Sequence, residues 1–155
     1  IIGIPKGAKH PLDAITVTTA DRVVMVEIAP GGTSVLETEG GWLLHTNHFL
    51  APERQDGARL THAASTTHAR MASIEGATAG ATGPQEAADL IPLLCSPLGD
   101  RTVALLPDET RPEAERSATL ATILMDPARR TIRLSPGVPQ HAHEVSVTYR
   151  VQEEA

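Results

Sequence analysis

Residues Trp42-Leu43-Leu44-His45-Thr46-Asn47-His48-Phe49 place a carboxamide, Asn47, between two imidazoles at the end of an apolar run. Carboxamide and imidazole N–H groups are donors that can be aimed at a developing negative charge. A strand ending in such a cluster could therefore hold an oxyanion above a reacting carbonyl. The plainer reading is a strand whose end is polar and solvated, as is common where strands run into loops.

The other chemistry-bearing residues are less promising. The chain has seven histidines, but His45 and His48 would point to opposite faces of a strand. His141 and His143 would share a face, yet no third ligand stands near them and the paired cysteines of a structural zinc site are absent. No metal or cofactor is expected. Gly31-Gly32 and Gly40-Gly41 read as turn glycines with no helix after them, so they form no phosphate cradle. No serine sits in a Gly-x-Ser-x-Gly elbow. The single cysteine, Cys95, excludes an internal disulfide framework. Within Leu93-Leu94-Cys95-Ser96-Pro97 it reads as a buried, inert thiol rather than a nucleophile.

The elements that must position Asn47 follow from periodicity and turn residues. Residues 14–19, 22–29, 34–37 and 42–47 are expected as strands of an antiparallel meander, separated by Pro30-Gly31-Gly32 and Gly40-Gly41. Residues 68–74 suggest a short helix ended by Gly76. Ala87, Ala88, Ile91, Leu94 and Cys95 recur at helical spacing, which predicts one amphipathic helix of about three turns beginning near Pro84. Strands return at 102–106, at 117–125 and at 131–135, the last two joined by the Pro127–Arg130 turn. Val145, Val147, Tyr149 and Val151 alternate with polar residues, as in a half-buried strand.

Composition bounds the function. At 155 residues, 41% hydrophobic and 21% charged, the chain suits one soluble domain over 1–155. Only 2% is aromatic, so aliphatic side chains must build the core. A net charge of −6 argues against a nucleic-acid surface. No apolar run of about 18 residues marks a membrane span. The start, Ile-Ile-Gly-Ile-Pro-Lys, lacks both an initiator Met and the layout of a signal peptide, which suggests a chain that begins inside a longer product or was cut; a cytoplasmic location is expected.

Two blocks resemble a known family. Glu37-Thr38-Glu39-Gly40-Gly41 followed by Trp42–Leu50 is similar to the Asn-His-Phe block of the acyl-coenzyme A:6-aminopenicillanic acid acyltransferases, the C45 cysteine peptidases. Val24-Met25-Val26-Glu27 resembles that family's preceding strand. Arg116-Ser117-Ala118-Thr119-Leu120, continuing to Asp126 and Gly137-Val138-Pro139, is similar to its Arg-x-x-Thr-Leu strand and Gly-x-Pro exit. Ser65-Thr66 through Arg70 fits loosely between them.

The resemblance implies an N-terminal-nucleophile hydrolase, a four-layer αββα sandwich of antiparallel sheets whose catalytic cysteine is freed by autoproteolysis. The thiol would attack and its own α-amino group, of pKa ~8 in model compounds, would act as base. Asn47 matches the family's oxyanion-hole asparagine and Arg116 its active-site arginine, and both are expected to converge on one cleft. The bland alternatives are an asparagine capping a strand end and an ordinary surface arginine. No cysteine stands where the nucleophile should, and the family's early catalytic aspartate has no counterpart. The resemblance thus implies the C-terminal half of an amidase or acyltransferase acting on linear or lactam-type amide bonds, inactive alone. Its expected partners are a missing N-terminal portion bearing the nucleophilic cysteine and a small acylated amide or acyl-coenzyme A substrate. With half a sandwich missing, the strands near 14–29 should keep unpaired edges or an exposed apolar face, and the fragment should associate with its missing part or with itself. The competing expectations are a catalytically inactive binding or assembly domain with the same strands, and an unrelated β-rich ligand-binding protein.

Overall fold

The computed structural model describes residues 13–29, 31–38, 41–55, 66–84, 86–95, 103–142 and 144–152. Strands β1 (Asp13–Thr18), β2 (Val23–Ala29) and β3 (Gly32–Glu37) form one antiparallel sheet in that order. Strands β4 (Ala121–Asp126), β5 (Thr131–Pro136) and β6 (Val147–Arg150) form a second. Between them in sequence lie helices α1 (Pro52–Gln55), α2 (Thr67–Thr78) and α3 (Ile91–Leu94), with 3-10 turns at Ala87–Leu90 and Glu113–Glu115, and a further 3-10 turn at Pro139–His141 stands between β5 and β6. The chain is α+β, built on two small antiparallel sheets of three strands each. Among the described residues no helix is long and apolar enough to cross a membrane.

The hairpins follow their turn residues. Gly32, at φ +124°, closes the β2–β3 turn, and a side chain there would meet the Arg54 guanidinium at 3.0 Å. Arg54 lies over the turn, donating from Nε to Ser34 Oγ and from Nη2 to the Thr33 carbonyl. The β4–β5 turn is tied by Asp126, which accepts from the Arg129 backbone N–H at 2.9 Å and from Arg129 Nη1 at 2.7 Å. Those two hydrogen bonds hold the Asp126 carboxyl below its ordinary range.

Each sheet has one covered face and one uncovered face. On the first sheet, Met25 and Glu27 of β2 are buried while Ile15, Val17 and Val35 are exposed. Ile15 pairs with Val26, which pairs with Val35, so these three form one apolar row. On the second, Thr122, Leu124 and Ser135 are buried toward the 3-10 turns of 87–90 and 139–141. Its opposite face carries the rows Ile123–Leu134–Val147 and Met125–Ile132–Tyr149. In those rows only Ile132 is not exposed. The uncovered faces agree with the expectation for the strands near 14–29.

Several expected elements differ. Residues 42–47 form no strand; at their end the Asn47 N–H goes to the Thr67 side chain rather than to a neighbouring strand. Helix α2 runs through Gly76, whose cost in a helix interior is only ~1 kcal/mol. It stops instead before Gly80, at φ +73°. The expected helix near 84–95 is split into a 3-10 turn and α3, since Pro92 lacks the N–H an uninterrupted helix would need there and its ring crowds the preceding turn. Residues 103–106 form no strand; Leu105 N–H donates to Thr119 Oγ1 and Thr119 N–H to the Leu105 carbonyl, which also delays the start of β4 to Ala121. β6 is not half-buried: all four residues are exposed, because it is an edge strand whose apolar side lies on the uncovered face.

A candidate active site at the start of helix α2

Glu27 anchors the site from the middle of β2. Its side chain is 0% exposed. Oε1 accepts the Leu50 backbone N–H at 2.7 Å, and Oε2 accepts that of Ala51 at 3.0 Å. His45 Nε2 lies 3.0 Å from Oε1. With both carboxyl oxygens already accepting, His45 is set to donate through Nε2. One buried acid thus ties down both ends of the 45–51 segment that carries Asn47.

The first turn of α2 supplies the rest. Thr67 is fully buried, and its Oγ1 accepts the Asn47 backbone N–H at 2.8 Å. The Thr46 hydroxyl donates to the Thr67 carbonyl at 3.0 Å, which leaves the Thr67 hydroxyl 2.8 Å from Thr46 Oγ1 and 2.9 Å from His48 Nδ1. His48 also stacks at a tilt on His68, ring centroids 4.1 Å apart. Burial first, then the neighbouring His68 and His45, lowers the His48 pKa below the ordinary imidazole value. The neutral ring is therefore the form this packing favours.

Asn47 itself is exposed, and Arg70 Nη2 donates to its Oδ1 at 2.6 Å. Only the amide oxygen can accept from a guanidinium, so the contact fixes which way the carboxamide faces. Nδ2, with no partner among the described residues, is left to donate outward.

Arg116 follows the 3-10 turn at Glu113–Glu115 and is exposed. Its guanidinium turns back on its own loop, donating from Nε to the Arg111 carbonyl at 2.8 Å and from Nη2 to that of Glu109 at 3.1 Å. Asn47 and Arg116 make no hydrogen bond to each other, Asn47 bonding to Arg70 and Arg116 to its own loop. A cavity of about 250 Å³ has His45, Thr46 and Arg70 in one part of its wall and Thr119 and Ala121–Ile123, just beyond Arg116, in another. Neither Asn47 nor Arg116 lines it.

Cys95 donates its S–H to the Ile91 carbonyl at 3.1 Å, and burial pushes its thiol pKa up. Among the described residues no group of three or more His, Cys, Asp or Glu could hold a metal ion. His143 lies outside the described residues. The Glu27–His45 pair and the Arg70–Asn47 contact were not expected from the sequence. The available signals were a lone acid in an otherwise apolar strand and an arginine three residues after Thr67, one helical turn along.

Comparison of the chain with protein-family models gave no match. Comparison with curated proteins gave no match either.

Proposed function

We propose that this chain is the C-terminal part of a cysteine-nucleophile amidase or acyltransferase, in which Asn47 donates to the oxyanion and Arg116 supplies an active-site cation. The observation that carries the reading is the Asn47 carboxamide itself: on an anchored loop its Oδ1 is held by Arg70, and Nδ2 of this exposed side chain has no partner among the described residues. An attacking thiolate would convert the amide carbonyl into a tetrahedral oxyanion, toward which an Nδ2–H donor is worth ~2.7–4 kcal/mol of barrier. Collapse of that intermediate expels the amine and leaves a thioester. Water or a second acceptor then takes the acyl group.

In this reading the thiolate belongs to an N-terminal portion outside these residues. Cys95 is a poor candidate, because a thiol whose pKa is raised by burial yields little thiolate. Arg116 keeps Nη1 without a partner among the described residues, and a planar guanidinium held at its other nitrogens can present that edge to a thiolate or a substrate carboxylate. The uncovered apolar faces support the fold half of the reading. Sheets that bury one face and expose aliphatic rows on the other are what the inner layers of an αββα sandwich look like when a portion is lacking. A catalytically inactive assembly domain would use the same faces but gives the Asn47 geometry no role.

Expression of the complete reading frame tests the proposal. Intact-mass analysis should find a polypeptide that begins with cysteine, and iodoacetamide should modify that residue and abolish hydrolysis of simple acyl anilides. Asn47→Ala should lower kcat about 10²–10³-fold with cysteine labelling retained. A product without a processed cysteine, or unchanged turnover in Asn47→Ala, overturns the reading.

A further inference from the structure

We infer that Arg70 is a positioning residue for the Asn47 carboxamide, fixing Nδ2 rather than Oδ1 toward the reacting carbonyl. The inference rests on Asn47 being the oxyanion donor. A primary amide is nearly symmetric in shape, and a half-turn about its last side-chain bond exchanges a donor for an acceptor. Presented the wrong way, Oδ1 would repel the oxyanion that Nδ2 should stabilise. Packing alone discriminates poorly between the two orientations, but a guanidinium does so absolutely, because it has donors and no acceptor.

The geometry suits that task. Asn47 is held twice by one turn of α2, its backbone N–H on Thr67 Oγ1 at 2.8 Å and its Oδ1 on Arg70 Nη2 at 2.6 Å. Arg70 is itself oriented, since Nε donates to Thr66 Oγ1 at 3.2 Å and its backbone N–H to the Thr66 carbonyl at 2.8 Å. The Thr66 hydroxyl therefore aims the guanidinium instead of capping the helix, and no side-chain cap is made at that end. The short charge-assisted bond also draws electron density toward Oδ1, which makes Nδ2–H the better donor. Arg70 lines the 250 Å³ cavity with Ile74, Leu94 and Ile123, so a group bound there would rest against the residue that directs Asn47.

Asn47 is the only asparagine in the chain, so selective labelling with 15N-asparagine gives a single side-chain amide to follow. In the wild-type protein that amide should be ordered, with an order parameter near the rigid range of ~0.85, and in Arg70→Met it should fall below ~0.6 while the backbone spectrum is kept. Arg70→Lys, which retains one charged donor, should recover part of the order, and it serves as the readout if Arg70→Met loses its fold. In the complete enzyme Arg70→Met should lower kcat ~10–10²-fold and leave KM nearly unchanged. A merely structural arginine would lower the melting temperature without moving the amide or splitting kcat from KM. Turnover that needs Asn47 but is unaltered in Arg70→Met, with the amide still ordered, overturns this inference alone. Turnover indifferent to Asn47→Ala overturns the oxyanion assignment and this inference with it.

Discussion

The Glu27 carboxylate lies 3.0 Å from His45 Nε2 and is shut off from solvent entirely. Because the same carboxylate accepts the N–H groups of Leu50 and Ala51, its loss would strand three donors at once. Each unsatisfied buried donor costs ~1–3 kcal/mol, so Glu27→Ala is expected to lower the unfolding free energy by at least ~3 kcal/mol. Glu27→Gln, which keeps the shape and one acceptor oxygen, should cost less. Urea denaturation measures both, and a loss below ~1 kcal/mol in Glu27→Ala would show that Glu27 does not anchor the 45–51 segment.

Thr67 is the second anchor, and its hydroxyl can be removed without changing its volume much. Thr67→Val leaves the Asn47 N–H without an acceptor and His48 Nδ1 with only Thr46 beside it. The expected loss is ~1–3 kcal/mol, and Thr67→Ser should restore most of it. Equal stability of the valine and serine variants would mean that packing, not the hydroxyl, holds the loop to α2.

The lowered pKa of His48 gives stability a pH dependence of definite sign. Above the ordinary imidazole value of 6.5 the ring is neutral in both folded and unfolded chains, and it adds nothing to the slope. As the pH falls below 6.5, the unfolded chain takes up the proton first, so the folded state loses stability until its own imidazole protonates. Melts between pH 7.5 and about 5 should show this decline, and His48→Gln should flatten it. A histidine titration followed by NMR that placed His48 above 6.5 in the folded chain would reverse the sign.

The sequence was a good guide wherever local chemistry decided the outcome. Alternating β-branched residues with Gly31-Gly32 and Pro127–Arg130 between them marked β2, β3 and β5 close to their observed limits and the hairpin partner of β5 as β4, which begins four residues later than expected. It misled where distant side chains supplied hydrogen-bond partners. Trp42-Leu43-Leu44 has the composition of a strand, yet the donors that follow it go to Thr67 and Glu27, about 20 residues away on either side. Pro92 sat in plain view within the expected helix, but the apolar spacing of Ile91 and Leu94 outweighed it. Asn47 was singled out by its flanking imidazoles, whereas Arg70, 23 residues later, becomes visible as its partner only once α2 is folded against the loop.

The uncovered sheet faces make the most direct prediction about the isolated 155-residue chain. Ile123 is 51% exposed, Met125 54%, Val147 51% and Tyr149 59%, and they occupy neighbouring positions on one face. Contiguous apolar patches of this kind are rare on monomers, and an edge strand such as β6 adds unpaired backbone groups beside them. The isolated chain should therefore self-associate in the micromolar range and bind the dye ANS. Charges on the same face oppose burial without disturbing the covered side, so the double variant Met125→Lys, Val147→Lys should shift light scattering toward the monomer and reduce ANS fluorescence. The melting transition of that monomer should be nearly unchanged, because neither side chain is buried in the folded chain. A wild-type chain that is monomeric at 100 μM, with no ANS signal, would show that these faces need no partner.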